Sequence, residues 1–141
     1  MIKQLTVFLT NEKGRLAAAC RVLADAGINL RSLNVADTAD FGVARIICDN
    51  PDDALQALQH AGYRAAITDV VAVCVPDVLG GLADLLAFMD TLDVNIEYGY
   101  CFVNGGGNAI DILKVDGGAD VEERLIEAGY VCPKAEDVYN F

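Results

Sequence analysis

The sequence is short of cationic and imidazole side chains. Lysine and arginine number 10 against 21 aspartates and glutamates, for a net charge of −11, and a surface of that sign repels nucleic-acid phosphates and anionic lipid headgroups. Nucleic acid and membranes are therefore not expected partners. There is one histidine, His60. It falls near a predicted helix end with no nucleophile at a recognisable spacing, so no Ser-His-Asp or Cys-His arrangement can be assembled. No catalytic residue is assigned, and the chain is not expected to be an enzyme. Cys20, Cys48, Cys74, Cys101 and Cys132 are far apart and form no CxxC pair, which leaves zinc without a ligand set and argues against a disulfide framework. Buried free thiols in a reducing, cytoplasmic compartment are expected, with no metal and no cofactor. A run of about 18 apolar residues, the length of a membrane span, is also lacking. At the N-terminus MIKQLTVFL enters a strand at once, so no signal segment is expected.

What the sequence does have is apolar content and a repeat. Hydrophobic residues make up 54% of 141, high enough to imply apolar surface buried between units or between subunits, and so a homodimer or larger oligomer. Gly14, Leu16, Ala17 and Asn29 recur as Gly80, Leu82, Ala83 and Asn95 at an offset of 66, and Ala61-Gly62-Tyr63 recurs as Ala128-Gly129-Tyr130 at an offset of 67. One residue has been inserted between, in a loop. The chain is thus a duplication, with domains expected at 1–68 and 69–141, each small for a private core.

Hydrophobic spacing orders each half. Residues 2–9 alternate, with Leu5, Val7 and Leu9 on one face and Gln4 and Thr6 on a wetter one, the period of a strand. After the loop Asn11–Gly14, a helix runs to about Ala26. Ile28–Ala36 and Phe41–Cys48 form a hairpin, and Asn50-Pro51 opens a second helix as N-cap and first turn. Residues 63–68 make the fourth strand. The second half repeats the order. Val70–Val75 has no polar face and suits a strand buried on both sides. The helix Gly81–Leu92 carries Leu82, Leu85, Leu86, Met89 and Leu92 at helical spacing. Ile96–Val103 aligns Tyr98, Tyr100 and Phe102 on a face that packs on another sheet or subunit. A hairpin loop at Gly105-Gly106-Gly107, a helix at about Ala119–Ala128 and a last strand after Tyr130 complete the unit. The βαββαβ order predicts an α+β fold of two tandem ferredoxin-like units, antiparallel sheets with both helices on one face. In each unit the first loop ends on a helix N-terminus, whose unpaired N–H groups and positive dipole end suit a carboxylate. The plainer alternative is that Gly14 and Gly80 simply permit a tight turn.

Gly14-Arg15-Leu16 with Ile28-Asn29, and Gly80-Gly81-Leu82 with Val94-Asn95, set in this order of elements, resemble the ACT domain, a small amino-acid-binding regulatory module. The likeness covers nearly the whole chain, twice. A proline often precedes the loop glycine in that family, whereas Lys13 and Leu79 stand there here. The resemblance implies a ligand held between two ACT-like units, by the first loop of one and the start of the second strand of another. Carried over by position, it implies Asn11, Gly14, Arg15, Leu16 and Asn29 in the first unit and Asp77, Gly80, Gly81, Leu82 and Asn95 in the second. Asparagine amides both donate and accept, as a zwitterion needs, whereas Asp77 favours an ammonium. The first unit is then better placed to bind, and the second is weighted toward assembly. Two functions follow from the resemblance: a regulatory protein that binds an amino acid, or a protein-interaction subunit of a biosynthetic enzyme, such as acetolactate synthase, with no ligand of its own.

Overall fold

The computed structural model describes residues 1–37, 41–103 and 106–140. They form two compact units, one made of Lys3–Thr68 with Val138–Asn140, the other of Met1–Ile2 with Asp69–Asp137.

In the first unit, strand β1 (Ile2–Thr10) leads to helix α1 (Arg15–Asp25), the hairpin β2 (Leu30–Asp37) and β3 (Phe41–Cys48), helix α2 (Pro51–His60), and strand β4 (Arg64–Pro76). The strand order is β2-β3-β1-β4, and β3 runs antiparallel to both β1 and β2. Ala19 and Leu23 of α1 and Ala54 and Leu58 of α2 are buried against Leu5, Val7 and Leu9 of β1 and Ala44, Ile46 and Cys48 of β3. Each large aliphatic side chain withdrawn from water here contributes about 2 kcal/mol. Helix α2 starts where expected: the Asn50 side chain accepts from the Asp53 N–H, with Pro51 in the first turn.

Two expectations for this unit change. The face of β1 opposite the helices is not wet: Gln4 is fully buried and Thr6 nearly so. Their polar groups are satisfied by a chain in which Gln4 Nε2 donates to Thr6 Oγ1 and Thr6 Oγ1 meets Thr68 Oγ1, each at 3.0 Å. The strands expected separately at 63–68 and Val70–Val75 are one strand, β4, which runs through Thr68-Asp69 without a break, with no glycine or proline there to turn it.

The second unit takes the rest of β4, helix α3 (Gly81–Asp90), the hairpin β5 (Ile96–Val103) and β6 (Asn108–Val115), and helix α4 (Gly118–Glu127). The strand order is β4-β6-β5, and the register copies that of the first unit. Leu5 pairs with Ile46, and their repeats Val71 and Leu113 pair likewise. The offset is 66 through Val103 and 67 from Asn108, so the inserted residue falls at 104–107, of which 104 and 105 lie outside the described residues. Leu85 and Met89 of α3 and Val121 and Leu125 of α4 cover Val71, Val73, Val75, Leu113 and Val115. Residues 70–73 and 75 are buried as expected of a strand covered on both sides, and Tyr98, Tyr100 and Phe102 are half-buried. The expected last strand is reduced to one bridge, Val131 with Cys74, after which the chain forms the short helix α5 (Ala135–Tyr139). All five cysteines are free, but of the five expected to be buried Cys48 alone is: Cys20, Cys74 and Cys132 are half-buried and Cys101 is exposed. It lies on the edge strand β5.

Candidate functional site

The two first-strand loops share one backbone geometry. Gly14 has φ 87°, ψ −8° and Gly80 φ 85°, ψ −8°, and neither α1 nor α3 has a side-chain cap. Both glycines lie in the left-handed region that L side chains resist. A Cβ at either position would meet nothing within 4 Å, so the backbone angle, not space, selects glycine. Ala18 and Asp84 are the first residues whose N–H reaches back to these glycines, at 3.0 and 2.9 Å, while Arg15 N–H turns back to the Glu12 carbonyl and Gly81 N–H to that of Val78. The amides of Leu16 and Ala17, and of Leu82 and Ala83, have no carbonyl of their own helix to bond. These donors, at the positive end of the helix dipole, can take a carboxylate oxygen.

In the first unit a groove of about 320 Å³ opens beside this loop, lined among others by Phe8, Thr10, Arg15, Tyr63 and Arg64. Arg15 Nε donates to Glu12 Oε2 at 3.2 Å, and the Arg64 guanidinium stands 5.4 Å from the centre of the Phe8 ring. Two guanidinium groups thus border one recess in a chain of strong negative charge, a setting suited to an anionic group. Sequence reasoning missed Arg64. Its signal was its place directly after Ala61-Gly62-Tyr63, where the chain turns from α2 into β4.

The other expected residues are placed as follows. Asn11 is exposed and Leu16 half-buried on the first core. The Asn29 side chain is exposed and lines neither groove. Its backbone N–H donates to Asp49 Oδ1 at 3.1 Å, while Asp49 N–H donates to the Asn29 carbonyl at 3.2 Å. Part of this clamp is repeated, with Asp116 N–H donating to the Asn95 carbonyl at 3.4 Å. Asp77 is exposed, and its N–H donates to the Gly107 carbonyl at 3.2 Å. Gly81 is fixed by space: a Cβ there would lie 2.4 Å from the Pro76 carbonyl oxygen. Leu82 is exposed on α3 and borders a second groove, of about 380 Å³, with Leu86, Gly99 and Asp111. Among the expected residues, then, Arg15 lines the first groove and Leu82 the second. Among the described residues no cluster of histidine, cysteine or acidic side chains could hold a metal ion, and no helix is long and apolar enough to cross a membrane.

A family profile described as an ACT domain pair matches residues 1–138. No curated protein sequence matches the chain. Among solved structures it is similar to a protein of Bacteroides thetaiotaomicron, with 38% identity, a TM-score of 0.93 and coverage of 99% of this chain and 96% of the other. The ligand-free regulatory subunit of aspartate kinase from Thermus thermophilus aligns with a TM-score of 0.62 at 17% identity over 90% of this chain and 92% of its own. The regulatory subunit of aspartate kinase from Thermus flavus aligns with a TM-score of 0.66 at 18% identity, over 89% and 88%. At such identities the last two share the fold.

Proposed function

The chain belongs to the ACT domain pair family, and from that premise we propose that it is a non-enzymatic regulatory protein whose first-strand loop binds an amino acid. The observation that carries this reading is the identical left-handed geometry of Gly14 and Gly80, each opening a helix N-terminus that no side chain caps. A zwitterion supplies the carboxylate such an end accepts. The first unit adds Arg15 and Arg64 beside its loop, which favours it over the second, where Asp77 brings a like charge. The side chains of Asn11 and Asn29 are exposed, ready to meet a ligand shared with a second copy of the chain in a homodimer.

Thermal-shift screening against the twenty amino acids tests the proposal, because a ligand that binds only the folded state raises Tm. One amino acid should stabilise the protein saturably. Gly14→Val should abolish that shift, and Asn29→Ala should weaken affinity by about 1–3 kcal/mol. No shift with any of the twenty, or an unchanged shift in folded Gly14→Val, overturns the assignment and leaves a protein-interaction subunit as the better reading.

A further inference from the structure

The units match in register, so a position where they differ in chemistry marks something one unit does alone. Two such positions are neighbours. Leu33 of β2 is replaced 66 residues later by Gly99 of β5, and Ala44 of β3 is replaced 67 residues later by Asp111 of β6. Gly99 pairs with Leu113 and Cys101 with Asp111, which places both substitutions on the helix-facing side of the β5–β6 hairpin. Leu113 already fills the place next to Gly99, where a Cβ would come within 2.8 Å of Leu113 Cδ2. Beside them lies a groove of about 380 Å³ bounded by Leu82 and Leu86 of α3, Ile96 and Cys101 of β5, and Leu113 of β6.

Asp111 borders this groove and is only 6% exposed, and among the described residues its carboxyl has no hydrogen-bond or ion-pair partner. A carboxylate largely withdrawn from water, with no protein cation beside it, holds its charge less readily than an exposed one. Burial pushes its pKa up accordingly. No lysine, arginine or histidine lines the groove, so a cationic ligand there would meet no competing positive charge.

We propose that this groove is a second ligand site, confined to one unit, for a small organic amine. The ammonium pairs with the Asp111 carboxylate, and an aliphatic body lies along Leu82, Leu86 and Leu113, past Gly99 on the groove wall. A carboxylate on the ligand would meet no cation there, so the site prefers an amine to the corresponding amino acid. This goes beyond the loop site, whose donors are those of a carboxylate-binding end.

Calorimetric titration of the full chain with 3-methylbutylamine tests it, with 3-methyl-1-butanol and leucine as comparators. The amine should bind saturably and the alcohol at least about tenfold more weakly, the loss of one charge-assisted contact. Asp111→Asn and Gly99→Leu should each lower amine affinity about tenfold or more, while any leucine binding at the loop stays unchanged in Asp111→Asn. Asp111→Ala installs the residue of the first unit and serves if the asparagine variant fails to fold. Absence of saturable amine binding, equal binding of amine and alcohol, or full amine affinity in the folded Asp111 variants overturns the proposal without touching the loop site.

Discussion

Glycines at neighbouring positions are held by different forces, and substitution separates them. At Gly14 only the left-handed backbone resists a side chain, so Gly14→Ala should cost about 1–2 kcal/mol. At Gly81 a Cβ would lie 2.4 Å from the Pro76 carbonyl oxygen, which neither backbone can relieve without moving. Gly81→Ala should therefore cost more, about 2–3 kcal/mol as an overpacked site. Urea denaturation of both variants compares the two costs. Asp111 gives a pH signature. Burial raises its pKa above the ordinary 3.8, so the folded state holds the proton more tightly than the unfolded chain, and stability falls as pH rises from the unfolded value through the folded one. Tyr100 and Cys101 are the other titratable groups lining the groove. Asp111→Asn should remove this loss, so the gap in stability between variant and parent should widen as pH increases from below 4 and then level off. A gap independent of pH would contradict an uncompensated buried carboxyl.

Elements set how accessible each thiol is. Cys48 ends β3 beneath the helices and is fully buried, and burial, the larger cause, pushes its thiol up to about 11 against a lowering hydrogen bond from the Asn50 backbone. Cys132 follows the Val131 bridge and is also raised to about 11, chiefly by burial and then by the Glu122 charge. Cys101 sits exposed on the edge strand. Because the thiolate is the reactive form, iodoacetamide at mildly alkaline pH should modify Cys101 first, the half-buried Cys132 much more slowly, and the buried Cys48 only on unfolding. Peptide mass spectrometry over time reads the order. The same edge position explains why alternation in Ile96–Val103 was legible in the sequence but the exposure of Cys101 was not. Alternation assigns faces, and only packing shows which part of a face the helices leave uncovered.

At the scale of the molecule, each unit is completed by residues from the far end of the chain. Tyr139 Oη accepts from the Lys3 N–H at 2.7 Å and donates to the Lys3 carbonyl at 3.0 Å, while Arg31 Nε donates to the Tyr139 carbonyl at 2.6 Å. The N-terminal amino group pairs with Glu122, and Met1 Sδ occupies the space beside Gly118. Tyr139→Phe removes both hydroxyl bonds and should cost about 1–3 kcal/mol. Thermal unfolding measures it. A change within error would mean that the tail adds packing but no polar anchoring.

The duplication, the order of elements, the two apolar cores and the loop glycines were all written in local pattern. Periodicity and turn chemistry act over a few residues and recur at an offset of 66 or 67. The family could be recognised from the same signals. The joining of two expected strands into β4, the replacement of the last strand by a bridge and a short helix, and the burial of Gln4 and Thr6 depended on partners distant in sequence. So did Arg64 and Asp111. Asp111 reads as one acid among 21 until the strands pair and α3 closes over the sheet, because burial and the want of a counter-charge are properties of its surroundings and not of the residue.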